Sequence, residues 1–112
     1  MTTLADKSCE ACRKGAAPAT PEDIAHYLPQ LSGWRITEAG GIKRLEKVFV
    51  FKNFAEALRF TDLVGAMAEQ ENHHPALLTE WGRVTVTWWT HKIAGLHVND
   101  FIMAAKTDKI VA

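Results

Sequence analysis

Four of the five histidines lie between residues 73 and 97, and His73, His74 and His91 are the first candidates for chemistry. Imidazole can both donate and accept a proton near neutral pH. A cluster of histidines therefore suits an elimination, in which one group protonates a leaving oxygen and another removes a proton. Zinc binding is the competing interpretation, because three histidines can hold that ion. No His-Glu-x-x-His motif is present and two of the three are neighbours, so proton transfer is favoured.

A predicted hairpin brings these histidines together. The segments Ala76–Trp81 and Val84–His91 flank Gly82-Arg83, which indicates two antiparallel strands joined by a Gly-X turn. That pairing places His91 directly opposite His74, with Cβ atoms about 4.5–5.5 Å apart. Alternation along the second strand puts His91 on its more polar side, where a small molecule can reach it. The same side carries Thr85, Thr87 and Trp89.

Hydrophobic periodicity and capping residues predict the elements around the hairpin. In chain order they are a helix over 21–28, strands over 34–37 and 42–51, a helix over 54–71, the two hairpin strands, and a helix over 98–111. Thr20 and Asn53 are the predicted N-caps. Asp100, near the start of the last helix, could orient His91 through its other ring nitrogen. The order α-β-β-α-β-β-α predicts an α+β fold, a four-stranded antiparallel sheet with helices packed on one face.

Composition excludes several classes of protein. The 112 residues carry 13 basic and 13 acidic side chains, so no surplus of positive charge favours nucleic acid as a partner. No apolar run approaches the roughly 20 residues that cross a bilayer, and the start of the chain has no apolar leader, so a cytoplasmic protein is expected. Cys9 and Cys12 form a single Cys-x-x-Cys, too little for a zinc site by itself. Residues 1–20 are predicted to be a flexible arm, and residues 21–112 a single domain.

The histidines stand within a longer pattern that closely resembles one family. The pattern comprises Glu69-x-x-x-His73-His74-Pro75, Thr90-His91, Ala94-Gly95-Leu96 and Asp100, with Gly33-Trp34 and the Phe51 and Phe54 pair further upstream. It resembles pterin-4a-carbinolamine dehydratase, also known as the dimerization cofactor of a homeodomain transcription factor. The resemblance covers about residues 21–111 and leaves the arm outside. Trp89 departs from it, being bulkier than the small polar residue expected before Thr90.

The resemblance implies a reaction and a division of roles. A 4a-hydroxytetrahydropterin, released by aromatic amino acid hydroxylases, would lose water to give quinonoid dihydropterin, without a metal or organic cofactor. His73 and His91 would be the acid and base, His74 would mainly hold the pterin, and Asp100 would orient His91. Glu69 and Thr90 would complete the substrate-binding set. Subunits would pair into a homodimer or homotetramer.

A second hypothesis belongs to a different class. The same fold could act without catalysis, as a dimerization partner or coactivator of a transcription factor, or as an assembly chaperone. The presence of the whole set of Glu69, His73, His74, His91 and Asp100 argues for activity.

Overall fold

The elements follow the predicted order in the computed structural model, which describes residues 17–111. The helices are α1 (Pro21–Tyr27), α2 (Phe54–Glu71) and α3 (Val98–Val111). The strands are β1 (Arg35–Ala39), β2 (Ile42–Val50), β3 (Ala76–Glu80) and β4 (Arg83–Trp88). They form one antiparallel sheet in the order β1-β2-β4-β3, which confirms the predicted fold class.

Local capping explains where the first two helices begin. The Thr20 side chain accepts a hydrogen bond from the Asp23 N–H (3.1 Å), and the Asp23 carboxylate accepts one from the Thr20 N–H (2.9 Å). This reciprocal pair satisfies two donors at the start of α1. At α2, the Asn53 side chain accepts from the Glu56 N–H at 2.9 Å. Both predicted caps are confirmed.

The core lies between one face of the sheet and the helices. Alternate residues of β2 and β4 point into it, as the period of a strand requires. The hydrophobic members with 6% exposure or less are Leu45, Phe49, Val84, Val86 and Trp88 from the strands, Ala57, Phe60, Val64 and Ala68 from α2, Phe101, Ile102, Met103 and Ala104 from α3, and Leu31, Trp34 and Leu96 from the connecting segments. On the opposite face of the sheet, Val48, Val50 and Leu78 are exposed. The helices thus cover one face only.

The β3–β4 hairpin turns one residue earlier than the sequence predicts. Glu80 pairs with Arg83, so the turn is Trp81-Gly82 and not Gly82-Arg83. Gly82 takes φ +75°, and an added Cβ would lie 3.3 Å from the Phe51 carbonyl oxygen. The Phe51 N–H donates to the Gly82 carbonyl at 2.7 Å, so the end of β2 holds the turn in place. Moving the turn by one residue shifts the pairing of the two strands by two residues. Every side chain therefore keeps its predicted face, but His74 and His91 are no longer directly opposite each other.

An ion pair closes the hairpin at its first rung. The Arg83 Nε donates to Glu80 Oε1 at 2.9 Å across the turn. This hydrogen bond lowers the pKa of the Glu80 carboxyl and raises the pKa of the Arg83 guanidinium. Both groups are on the surface, so the pair favours the observed turn without contributing a large free energy.

The domain begins earlier than residue 21. The Ala19 N–H donates to the Leu96 carbonyl at 2.7 Å, Ala19 packs against the core, and Thr20 caps α1. Two residues of the predicted arm, Ala19 and Thr20, therefore contact the folded part of the chain. Residues 1–16, with Cys9 and Cys12, lie outside the described part of the chain. Across 17–111, none of the helices is both long and apolar enough to cross a membrane.

Candidate active site

A cavity of about 210 Å³ opens where the chain enters β3 and leaves β4. Its lining residues are Asn72, His73, His74, Trp89, His91 and Lys92. All three histidines singled out in the sequence therefore meet at one cavity, as predicted. Asn72 and Lys92 were not predicted to line it. Asn72 had a sequence signal, since asparagine next to a helix end often takes the left-handed conformation that stops a helix.

The end of α2 separates the two neighbouring histidines. Asn72 has φ 53° and ψ 41°, and the next N–H, that of His73, donates back to the Ala68 carbonyl at 3.1 Å. Pro75 keeps the residue before it out of the α region, so the chain runs on in an extended form. His73 is consequently buried, at 3% exposure, whereas the His74 side chain is 51% exposed.

A buried carboxylate stands behind His73. The His73 Nε2 donates to Asp100 Oδ1 at 2.7 Å, and Asp100 is fully buried. The other oxygen, Oδ2, accepts from the Thr90 hydroxyl (2.9 Å) and from the His97 N–H (2.9 Å). His73 also stacks on Trp88, with ring centroids 5.7 Å apart. The prediction that Asp100 orients His91 is therefore wrong: its histidine partner is His73, and from the turn after β4 it is Thr90, the residue before His91, that contacts Asp100.

The first turn of α3 holds Asp100 through a capping box built on histidine. The His97 Nδ1 accepts the Asn99 N–H at 3.0 Å, while Asp100 accepts the His97 N–H. Each side chain thus satisfies a main-chain donor of the helix start, the arrangement described for serine or threonine caps. His97 directly precedes the first residue of α3. The spacing of residues in the sequence does not predict the hydrogen bond from the His97 N–H to Asp100.

Thr90 takes a different role from the predicted one. It is 1% exposed and its hydroxyl donates to Asp100, so it is not part of the cavity lining. The substrate-binding role predicted for Thr90 therefore has no geometric support. The arrangement instead makes Thr90 a residue that positions Asp100.

His91 reaches the cavity from a short 3-10 turn, His91–Ile93, and not from the strand itself. Pairing in β4 ends at Trp88, and a Thr90–Gly95 bridge with Ala94 at φ 50° closes the loop that follows. The His91 Nε2 donates to the His74 main-chain carbonyl at 3.2 Å. The two histidines are thus in contact, but through the main chain of one and the ring of the other.

Glu69 completes the exposed side of the site. Glu69 lies in the last turn of α2, and its Oε1 is 2.6 Å from the His74 Nε2. The side chains are 78% and 51% exposed, so this ion pair contributes little to stability. It does hold the His74 ring at the edge of the cavity, and Glu69 itself is not among the lining residues.

The hydrogen bonds determine which nitrogen of each ring carries a proton. In all three histidines Nε2 faces an oxygen that only accepts: the Asp100 carboxylate, the Glu69 carboxylate and the His74 carbonyl. Each Nε2 is therefore the N–H, and in the neutral ring the lone pair lies on Nδ1. The carboxylate behind His73 compensates the positive charge that this ring carries after accepting a proton. Such a set can donate and accept protons without any other titratable group.

The competing interpretation, a zinc site, needs several ligands within reach of one ion. Within residues 17–111, no three His, Cys, Asp or Glu side chains are grouped so as to hold an ion. Two of the three cavity histidines direct Nε2 to carboxylates and the third to a main-chain carbonyl, so these nitrogens are engaged as donors.

The fold and the cavity together define a small α+β protein in which three histidines line one cavity. Comparison of the sequence with protein families gives a match to "Pterin 4 alpha carbinolamine dehydratase" over residues 17–110. The chain belongs to this family. Relatives from Syntrophotalea carbinolica (56% identical; 99% of both chains) and Nitrosococcus oceani (55%; 99% of this chain and 98% of the other) are each named "Putative pterin-4-alpha-carbinolamine dehydratase".

Solved structures share the fold. A protein from Brucella melitensis described as a transcriptional coactivator/pterin dehydratase is 30% identical, with a TM-score of 0.76 over 86% of this chain and 100% of that one. A pterin dehydratase-like protein described as a RuBisCO assembly factor of the alpha-carboxysome is 22% identical, with a TM-score of 0.60 over 71% of this chain and 90% of that one. The second likeness shows the fold alone.

Proposed function

We propose that the protein is a hydro-lyase that dehydrates a 4a-hydroxytetrahydropterin to the quinonoid dihydropterin. The observation that carries the proposal is the cavity at which three histidines converge, each with Nε2 engaged by an oxygen acceptor and one backed by a buried carboxylate. Family membership supplies the substrate class. The cavity, at about 210 Å³, is open to solvent and accommodates part of a bicyclic ring.

The reaction needs one acid and one base. A protonated imidazole donates a proton to the 4a-hydroxyl oxygen, the bond from C4a to oxygen breaks, and water leaves. A neutral imidazole accepts the proton from N5 as the double bond between C4a and N5 forms. One ring has lost a proton and the other has gained one, and exchange with solvent restores both.

His73 and His91 are assigned to these two steps. They approach the cavity from different sides, His73 from the buried end of α2 and His91 from the exposed turn after β4. The contact of His73 Nε2 is the Asp100 side chain, whereas the contact of His91 Nε2 is a main-chain carbonyl. His74, paired with Glu69 at the rim, is assigned to holding the pterin.

The test is turnover of a chemically generated carbinolamine. The expected result is a rate of dehydration well above the spontaneous one, retained after treatment with a chelator and dialysis. The His73→Ala/His91→Ala double variant is the matched control and should return the rate to background. A parent protein that does not exceed the spontaneous rate would refute the function. Loss of activity on chelation with recovery on adding zinc would refute a metal-independent reaction.

The biological setting belongs to the same proposal. A dehydratase of this kind recycles the tetrahydropterin of an aromatic amino acid hydroxylase, and a cytoplasmic location suits that role. Assembly into a homodimer or homotetramer is expected because the sheet has an uncovered face and two open edges, β1 and β3.

A second candidate is a docking module without catalysis. Three large apolar side chains of α2, Phe54, Leu58 and Leu63, are 44–45% exposed, which suits contact with another protein. The Brucella relative is described both as a coactivator and as a dehydratase, so the two functions are compatible. The turnover assay decides between them, because a docking module has no need to exceed the spontaneous rate.

A further inference from the structure

The indole of Trp89 is in contact with two planar side chains. Its ring lies 4.4 Å from the His91 ring, centroid to centroid, at an angle of 17°. The Arg44 guanidinium carbon lies 4.4 Å from the centroid of the same side chain. We refer to Arg44, Trp89 and His91 as the stack. Trp89 and His91 line the cavity, and Arg44 does not.

Strand pairing brings Arg44 to this position. The last pair of β2 and β4 is Leu45 with Trp88, and Arg44 and Trp89 are the next residues of the two chains beyond that pair. Leu45 and Trp88 are both fully buried in the core. Side chains alternate along a strand, so Arg44 and Trp89 project from the opposite face of the sheet. The pairing of β2 with β4 therefore brings Arg44 and Trp89 together, at the end of the two strands where that pairing stops.

Hydrogen bonding does not account for the placement of Arg44. Its Nε is buried and has no hydrogen-bond partner among residues 17–111. An unpaired buried donor costs free energy, so another interaction must hold the side chain. The contact that the structure shows is with the indole, a favourable cation–π interaction for a planar guanidinium.

His91 has few other restraints. It lies on an exposed three-residue turn, and the hydrogen bond described for its ring is the 3.2 Å contact with the His74 carbonyl. An exposed imidazole held by one such bond can rotate about its side-chain bonds. Parallel contact with a large, flat indole restricts that rotation.

We propose that Arg44 and Trp89 are positioning residues for His91: the guanidinium holds the indole, and the indole holds the imidazole in the orientation that keeps Nε2 on the His74 carbonyl. This inference rests on the proposed function, because the orientation of His91 affects a rate only if His91 transfers a proton. It also gives a role to Trp89, the residue that departs from the family pattern. Arg44 acts on the reaction only through Trp89.

A double-mutant cycle between Arg44 and His91 tests the inference. Arg44→Met should lower kcat about tenfold and leave KM within about twofold, because a misplaced reacting group slows chemistry more than binding. In the His91→Ala background the same change should have no further effect. Arg44→Lys should resemble Arg44→Met, since an ammonium keeps the charge but not the planar contact. Arg35→Met is the matched control: Arg35 is 70% exposed on the neighbouring strand, is paired with Glu46, and should leave kcat unchanged.

Magnetic resonance of the His91 ring protons gives a readout that needs no turnover. In the parent protein these protons should be shifted by the ring current of Trp89, and Trp89→Leu should remove the shift. Arg44→Met should reduce it, while Arg35→Met should not. Equal kcat losses for Arg44→Met with and without His91, or unchanged His91 signals in Arg44→Met, would overturn the inference. If the parent lacks dehydratase activity, the proposed function fails and the spectra alone decide whether Arg44 orders His91.

Discussion

Replacing Asp100 by asparagine should change the proton position on His73 while keeping the shape of the side chain. Asp100 accepts three hydrogen bonds, one at Oδ1 from His73 and two at Oδ2 from Thr90 and His97. An asparagine has one oxygen and one NH₂, so one side must now present a donor. The NH₂ should lie on the side where it costs less free energy, either toward His73 or toward Thr90 and His97.

The existing donors decide the orientation of the amide. If the NH₂ faced the former Oδ2 side, the Thr90 hydroxyl could rotate and accept, but the His97 main-chain N–H could not. It would remain a buried donor without an acceptor, at a cost of about 1–3 kcal/mol. If the NH₂ faces His73, the imidazole only has to move its proton from Nε2 to Nδ1. The second arrangement costs less, so the variant should place the NH₂ against His73.

The expected consequence is a large loss of rate with a modest loss of stability. His73 would then carry its proton on Nδ1, the nitrogen that holds the lone pair in the parent protein, and its Nε2 would be blocked by the amide. Loss of a positioned acid or base lowers kcat by about 10²–10⁴-fold, and removal of the charged partner also leaves the imidazolium uncompensated. Urea unfolding should show a loss of about 1–3 kcal/mol, the range for hydrogen bonds to charged groups.

Steady-state kinetics on the carbinolamine and ¹⁵N spectra of the His73 ring form the assay. Asp108→Asn is the control, because Asp108 accepts hydrogen bonds from Trp34 and Lys47 on the far side of the core and should lower stability without lowering kcat. A kcat for Asp100→Asn within threefold of the parent would refute the reasoning. So would an inactive variant whose His73 still carries its proton on Nε2.

Four further predictions follow from the site and the termini. His73→Ala and His91→Ala should each lower kcat by about 10²–10⁴-fold and should differ in which stereoisomer of the carbinolamine they still dehydrate. The double variant should dehydrate neither stereoisomer, and normal turnover by it would disprove the assignment. His74→Ala should mainly raise KM, measured in the same assay, and an unchanged KM would contradict its binding role. Deletion of residues 1–20 removes Thr20 and should cost about 0.5–2 kcal/mol in urea unfolding relative to deletion of 1–18, and equal stabilities would show that the cap is unimportant. Light scattering at micromolar concentration should show a dimer or tetramer, and a lone 12.5 kDa species would contradict it.

Helices were more predictable than strand register, for a physical reason. The start of α2 depends on Asn53 and its near neighbour Glu56, and the end of α3 falls at Val111 as its apolar period predicts. Register in the hairpin depends on a contact from a third strand, the Phe51 N–H on the Gly82 carbonyl. A two-residue slip leaves every side chain on the same face, so the alternation of apolar residues does not reveal it.

The candidate site was likewise predictable only in part. The predicted hairpin indicated that His73, His74 and His91 would meet, and they line one cavity although the register differs. The partner of Asp100 was not predictable, because it depends on how α3 packs against the end of α2. Nor was the contact of Arg44 with Trp89, since it requires the pairing of β2 with β4, two strands separated by a helix and another strand.

Asn72, the left-handed residue that ends α2, starts a short segment whose length decides where the two histidine side chains point. Only Asn72, His73 and His74 lie between the helix and Pro75, and the extended chain turns successive side chains to opposite sides. One inserted or deleted residue would exchange the two imidazoles: the ring now on the Asp100 carboxylate would face water, and its neighbour would face the protein interior. Surface connections usually tolerate insertions and deletions. In this segment they would exchange the two imidazoles, so selection would act against them even where the stability of the fold is unaffected.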